Sequence, residues 1–287
     1  MTQRLAILAG SGTLPVAVAK VAQDRGQNAV VFRLPGSDPE LEHMFSSVPL
    51  DIVNFTQLFA SLEQSSCSAV CLIGGVVRPE LSQLDLSPLT EAERTGLTGA
   101  LQQGDKSVLI WLSGTIEARG YKVLGAQDVY PDFLTQEGCL TEAKPGAQHL
   151  SDLEKAARVA AVLGEVDTGQ AVIVADGLVL AVEAQEGTDA IIGRITDLPG
   201  SLRGSSKHPK GVLFKRAMPG QDLRVDLPVI GPKTIELCAK AGLAGIGLIS
   251  GESIIDQLDE TLSLANEHGL FVVGMSQEFI DPLSGAE

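Results

Sequence analysis

The sequence predicts an α/β protein in two parts, an N-terminal Rossmann-like domain around a parallel sheet and a C-terminal mixed α/β domain. Three observations carry this. Short apolar runs alternate with helical periodicity through the first third, the β-α-β order that builds a parallel sheet covered by helices. Aromatic residues make up only 4% of the chain against 44% hydrophobic, so packing rests on small and branched aliphatic side chains, as buried parallel strands require. In the second half a two-residue hairpin signal, Asp176-Gly177, marks a change of style.

Each element has its own signal. Arg4 to Ala9 is an apolar strand that ends at Gly10-Ser11-Gly12. Thr13 to Asp24 places Leu14, Val18, Val21 and Ala22 on one helical side, with Gly26 as a stop. Asn28 to Phe32 is a second strand, Asp51 to Val53 a third, and Phe55 to Gln64 a helix. Ser68 to Ile73 is a buried strand ending at Gly74-Gly75. Asp105 to Ala118 reads as a helix with Asp105 as N-cap and Gly120 past its end. Pro131, Gly138, Pro145 and Gly146 then break the periodicity. The expected organisation is an N-terminal Rossmann-like domain over 1–133, a linker over 134–150 and a C-terminal mixed α/β domain over 151–287. In the latter, Ser151 to Gly164 is a helix, and Gln170 to Ala175 and Leu178 to Glu183 flank the hairpin turn. Gly211 to Lys215, Leu223 to Leu227, Ala244 to Ile249 and Leu270 to Gly274 read as strands, and Pro232 to Ala241 and Asp256 to His268 as helices.

Composition excludes several classes. A net charge of −15 argues against nucleic acid, whose phosphates need a positive stripe. Cys67, Cys71, Cys139 and Cys238 show no Cys-x-x-Cys pair, and buried reduced thiols are expected. The first residues lack a signal peptide, and no apolar run approaches the roughly 20 residues of a membrane span. A soluble cytoplasmic protein is expected.

Four constellations hold chemistry. Gly10-Ser11-Gly12, before Thr13-Leu14-Pro15, is either a tight strand-to-helix turn or an anion site at a helix N-terminus. As a dinucleotide fingerprint it lacks the third Gly, replaced by Pro15, and the second strand ends at Arg33 where a ribose-binding acid would stand. Glu183, Gln185, Glu186, Thr188 and Asp189 form an oxygen-rich turn suited to Mg²⁺; capping by Thr188 and Asp189 explains only half of it. Leu198 to Gln221 contains no acid, yet carries Arg203, Lys207, Lys210, Lys215, Arg216 and His208. That is either an anion site or a solvated basic loop. Last, alternation over Asp222 to Leu227 puts Asp222, Arg224 and Asp226 on one face of a strand, the two aspartates ~13 Å apart. One aspartate would then work on a metal while the other orients Arg224; a polar edge strand is the plainer alternative. His149 with Asp152, and Asp256 to Glu260, read as solvated surface. Taken singly, these signals give only an α/β protein that binds an anion near carboxylates; a Rossmann-type oxidoreductase, against which the missing ribose-binding acid counts, and a non-catalytic sensor or scaffold are the rival readings.

In this order, the motifs resemble the LpxI family of UDP-2,3-diacylglucosamine pyrophosphatases. The resemblance lies in ILAGSGTLP (Ile7 to Pro15), GGVVRP (Gly74 to Pro79), GLVLAVEAQEGTDAII (Gly177 to Ile192) and GQDLRVDLPVIGPKTI (Gly220 to Ile235), with AGLAGI (Ala241 to Ile246) and GLFVVG (Gly269 to Gly274). It implies two domains with the active site between them, and hydrolysis of the pyrophosphate to UMP and 2,3-diacylglucosamine 1-phosphate in lipid A synthesis. It also implies a divalent cation, Mg²⁺ or Mn²⁺. Asp226 becomes the key metal-associated catalytic residue, with Glu186, Thr188, Asp189 and Lys215 close to it. Catalysis is then expected from Asp226, Lys215 and Glu186, and metal ligation from Asp226, Glu186 and Asp189. Substrate binding is expected from Gly10, Ser11, Gly12, Gln185, Thr188, Gln221 and Arg224. Met218-Pro219 stands where the family often has Lys-Pro, which leaves that phosphate contact to Arg216 or Lys215. The expected partners are the UDP-linked diacylated glucosamine, the inner-membrane surface met through that lipid, and a second copy of the chain as a homodimer.

Overall fold

The computed structural model describes residues 4–51, 54–76 and 81–277. The chain divides into two compact units, Met1–Asp132 with Gln221–Asp226, and Phe133–Gly220 with Leu227–Glu287.

The first unit contains β1 (Arg4–Ala9), α1 (Leu14–Asp24), β2 (Ala29–Arg33), α2 (Glu40–Met44), β3 (Ser47–Pro49), α3 (Phe55–Gln64), β4 (Cys67–Ile73), α4 (Glu91–Gln103), α5 (Asp105–Ala118), β5 (Lys122–Leu124) and α6 (Ala126–Val129). Its five strands lie in the order β3-β2-β1-β4-β5, and every pair is parallel. Alternate residues Ala6, Leu8, Val30, Phe32, Val70 and Leu72 form one sheet face, packed on Leu58 and Leu62 of α3, Leu97 of α4, and Leu112 and Ile116 of α5. Period-2 alternation in the strands against 3.6-residue periodicity in the helices produces this layer.

Three details differ from the sequence reading. The third strand is Ser47–Pro49; Ile52 and Val53 lie outside the described residues. Asp105 stands in the first turn of α5, and Gly104, in a conformation with φ 130°, is the cap. It joins α4 and α5 directly, and α4 itself begins in a capping box between Thr90 and Glu93.

The second unit contains β6 (Gly138–Cys139), α7 (Ala147–Glu165), β7 (Ala171–Ala175), β8 (Leu178–Val182), α8 (Thr188–Ile195), β9 (Val212–Lys215), β10 (Val229–Ile230), α9 (Pro232–Ala241), β11 (Gly245–Ile249), β12 (Ile254–Ile255), α10 (Leu258–Glu267) and β13 (Phe271–Met275). A mixed six-stranded sheet runs β6-β13-β11-β9-β7-β8, and β10 pairs with β12 apart from it. On one face Ala171, Ile173, Leu213, Ile246 and Leu248 pack against α8, α9 and α10. On the other, Val172, Val174, Val212 and Phe214 pack against Leu153, Ala156, Ala157 and Ala160 of α7. Gly247 permits this closeness, because a side chain there would collide with Leu153.

The segment read as a linker, 134–150, is part of this unit. Its β6 pairs antiparallel with β13, Thr135 N–H donates to the Ser253 carbonyl at 2.8 Å, and α7 begins at Ala147. Pro131 does stand beside the boundary between the units, whereas Gly138 begins β6 and Pro145 and Gly146 precede α7, all within the second unit. Leu223 to Leu227 is not a strand: Val225 and Asp226 N–H groups both donate to the Asp222 carbonyl, at 3.0 and 3.1 Å, in a helical turn. The aspartates are therefore one turn apart and not spread along an extended strand. Among the described residues no helix is long and apolar enough to cross a membrane.

Candidate active site

In the first unit, strand order reverses between β1 and β4, so the crevice at their carboxyl ends is the switch point where open α/β sheets bind ligands. The two glycine turns meet there. Gly10 N–H donates to the Ile73 carbonyl at 2.8 Å, and Ser11 and Gly75 exchange backbone bonds at 2.8 and 2.9 Å. A Cβ on Gly10 would strike the Gly75 carbonyl, and one on Gly74, where φ is 93°, would strike Pro15 and the Ser11 carbonyl. The glycines thus lock two loops together, and the Gly10 and Ser11 amides are committed to that lock. Ser11 and Gly12 remain exposed at the entrance to α1. Val77, Arg78 and Pro79 of the second glycine motif lie outside the described residues.

Beside the switch point is a cavity of about 380 Å³, enclosed by Leu8, Leu72, Leu97, Val108 and Trp111 among others, with Asp105 and Asp226 as its acidic lining. Phe55 and Trp111 meet edge to face within this lining, ring centroids 5.7 Å apart.

Asp226 belongs to this unit. Arg224 Nε and Nη2 donate to the two Asp222 carboxylate oxygens at 2.9 and 2.8 Å, and Nη1 donates to Glu117 Oε1 at 2.5 Å. The Arg224 guanidinium holds the Asp222 carboxyl below the usual range, and the two acids push the Arg224 pKa up. Gln221 Nε2 donates to the Asp226 carbonyl at 2.6 Å.

In the second unit, Glu183, Gln170 and Lys215 come to one end of the sheet. Glu183 N–H donates to the Ala171 carbonyl, and Ala171 pairs with Lys215. Glu183 and Lys215 thus flank Ala171, two strands and roughly 10 Å apart. Glu183 is buried; it accepts from Gln170 N–H at 2.9 Å and from the Thr188 hydroxyl at 2.6 Å. Thr188 is therefore no N-cap: Gly187 holds that position, and the hydroxyl serves Glu183. Lys215 is also buried and donates to the Val229 carbonyl at 3.1 Å.

Two of the three carboxylates read as metal ligands are in ion pairs. Glu186 pairs with Arg194 at 3.1 Å, and Asp189 with Lys233 at 2.7 Å, which raises the Lys233 pKa. Gln185 is exposed. Among the described residues no three His, Cys, Asp or Glu side chains gather as a metal-holding group. The basic stretch does not form one patch. Lys210 pairs with Asp176 at 2.6 Å and Arg203 donates to the Leu198 and Gly204 carbonyls, both near the start of β9, while Lys215 and Arg216 lie at its other end.

Asp152 is not solvated surface: it is 1% exposed and accepts from Asp176 and Gly177 N–H groups at 2.9 and 2.7 Å. Asp256 is buried too. Of the cysteines, Cys71 and Cys238 are buried and Cys139 is exposed; burial pushes the Cys71 thiol up to about 12 and Cys238 higher than its ordinary value. These two are packing residues, not nucleophiles. Glu117 and Gln127, which hold the Asp222–Asp226 turn, carry no sequence signal, because they lie about a hundred positions away along the chain.

A parallel sheet whose strand order reverses beside an apolar cavity is the arrangement in which open α/β proteins bind ligands. Comparison with known proteins narrows the class. The model of the LpxI N-terminal domain matches residues 4–133 and that of the LpxI C-terminal domain residues 136–273. A relative from Caulobacter vibrioides, the UDP-2,3-diacylglucosamine pyrophosphatase LpxI, is 36% identical over 277 residues, 96% of this chain and 99% of the relative. The chain belongs to the LpxI family.

Proposed function

We propose that this chain hydrolyses the pyrophosphate bond of UDP-2,3-diacylglucosamine, releasing UMP and 2,3-diacylglucosamine 1-phosphate for lipid A synthesis. The identity to the Caulobacter vibrioides pyrophosphatase along nearly the whole of both chains carries the reading. The apolar cavity that Asp226 lines supports it, because an acylated substrate needs buried apolar surface beside its reacting phosphates.

Hydrolysis of an anhydride needs an oriented water and neutralised phosphoryl oxygens more than covalent chemistry from the protein. Asp226 is the carboxylate assigned to this work. Lys215, buried at the strand end, supplies fixed positive charge that follows the phosphoryl oxygens as the bond breaks. Ser11 and Gly12, exposed at the start of α1, are assigned to the uridine nucleotide with Gly10 as their support, and Gln185 and Gln221 to the sugar phosphate.

In this reading a magnesium or manganese ion would be held by Asp226, with water and substrate phosphate completing the shell as Mg²⁺ commonly allows; Glu186 and Asp189 would have to leave their ion pairs with Arg194 and Lys233 to join it. Such an ion supplies positive charge to the phosphoryl oxygens. A homodimer working at the cytoplasmic face of the inner membrane, which it meets through the lipid substrate, completes the proposal.

The test is incubation of purified protein with UDP-2,3-diacylglucosamine and Mg²⁺, following UMP. Turnover should stop on chelation and return with Mg²⁺ or Mn²⁺. Asp226→Ala should lower kcat about a hundredfold or more, since several kcal/mol of charge stabilisation is lost. Binding without UMP release from the unaltered protein would instead establish a nucleotide-sugar sensor.

A further inference from the structure

After Gly220 the chain leaves the second unit for six residues, Gln221–Asp226, which pack within the first, and re-enters the second at Leu227. A single helical turn has no stability of its own, because nucleation fixes several residues for one or two hydrogen bonds. This turn is held by other means. Arg224 reaches both Asp222 oxygens and, from α5, Glu117. Gln127 Nε2 from α6 donates to the Leu223 carbonyl at 2.9 Å, and Val225 packs on the core. Asp226 closes the turn and lines the cavity.

We infer that Arg224, bridging Asp222 and Glu117, is a positioning residue that fixes the Asp226 carboxylate against the cavity, and not a substrate-binding residue. The inference rests on the reading of Asp226 as catalytic. Three of the guanidinium's five N–H donors are spent on two carboxylates, and the side chain is 37% exposed. Two parallel bonds to Asp222 and a third to a helix 107 positions away in sequence need the planar fork of arginine; a lysine ammonium has the charge but not the geometry. The bridge ties a short excursion of the chain to the rigid face that presents its acid to the substrate.

The test uses full-length protein with Glu117→Gln, Glu117→Asp and Arg224→Lys. Two readouts are taken: amide hydrogen exchange of the peptide spanning 221–226, and steady-state kinetics with UDP-2,3-diacylglucosamine. Glu117→Gln and Arg224→Lys should speed exchange at the Val225 and Asp226 amides about tenfold. They should lower kcat about tenfold and leave KM within about twofold, the mark of a group that acts only through transition-state geometry. Glu117→Asp should retain most of kcat. Glu117→Gln alters an exposed side chain by one atom, so it keeps the test intact should Arg224→Lys fail to fold. A rise in KM with exchange unchanged makes Arg224 a substrate ligand and overturns the inference. Faster exchange with kcat unchanged, while Asp226→Ala is inactive, overturns the positioning role alone. An active Asp226→Ala instead removes the reading on which the inference rests, whatever the exchange shows.

Discussion

Lys215 and Arg203 come from one acid-free stretch of sequence, but the fold sends them to opposite ends of β9. Lys215 is buried beside the row that contains Glu183, whereas Arg203 serves carbonyls of its own loop. A cation that contacts the diphosphate equally in ground and transition states changes KM on removal; one that follows the developing charge changes kcat. Lys215→Ala should therefore lose about tenfold or more in kcat/KM, roughly 1.4 kcal/mol, mainly in kcat, and Arg203→Ala much less. Equal losses would mean that a diffuse positive field is at work, and Lys215 would leave the set of site residues. At this scale the sequence located the acid-free stretch but not its division, because charge along a chain carries no information about which end of a strand each cation reaches.

Among elements, the β7-β8 hairpin shows how local signals and tertiary support combine. Asp176 and Gly177 both adopt positive φ, 46° and 76°, the conformation that the Asp-Gly pair favours in a two-residue turn. Both of their amides are accepted by Asp152, a fully buried acid on α7. Removing this acceptor leaves two amides without a partner, each costing about 1–3 kcal/mol where water cannot replace it. Partial access of water to an exposed turn reduces the sum, so Asp152→Ala should destabilise the protein by about 2 kcal/mol in urea unfolding. A loss smaller than about 0.5 kcal/mol, the scale of an ordinary surface substitution, would show that the turn holds itself. The hairpin was legible because its conformation is dictated by two adjacent residues. The role of Asp152 was not, since an acid beside a histidine on a helix looks the same whether water or a distant turn is its partner. The Asp222–Asp226 segment failed for the same reason: its alternation fits a strand, but the Arg224 bond to Glu117 and the Gln127 bond to the Leu223 carbonyl hold it as a turn.

At the scale of the whole molecule, the two sheets were legible because period-2 and 3.6-residue patterns are local, while the cavity was not, because its walls are drawn from β1, β4, α3, α4, α5 and the returning turn. Its size makes a prediction about the proposed substrate. A methylene fills space comparable to the ~30 Å³ share of a water molecule in the liquid, so about 380 Å³ takes on the order of a dozen carbons. That is one acyl chain and not two. Each buried methylene contributes about 0.8 kcal/mol, which corresponds to about a fourfold change in affinity. Shortening the acyl chain at one sugar position should then raise KM about fourfold per carbon removed, and shortening the other should change it little. Leu97→Trp and Leu101→Trp, which fill the cavity from α4, should raise KM for the long-chain substrate and flatten the dependence on that one chain, with kcat at saturation nearly kept. The measurement is a kinetic series with substrates shortened at one position at a time. Equal dependence on both chains, or length dependence that survives both tryptophan substitutions, would place the acyl site elsewhere and leave the cavity as a packing defect beside Asp226.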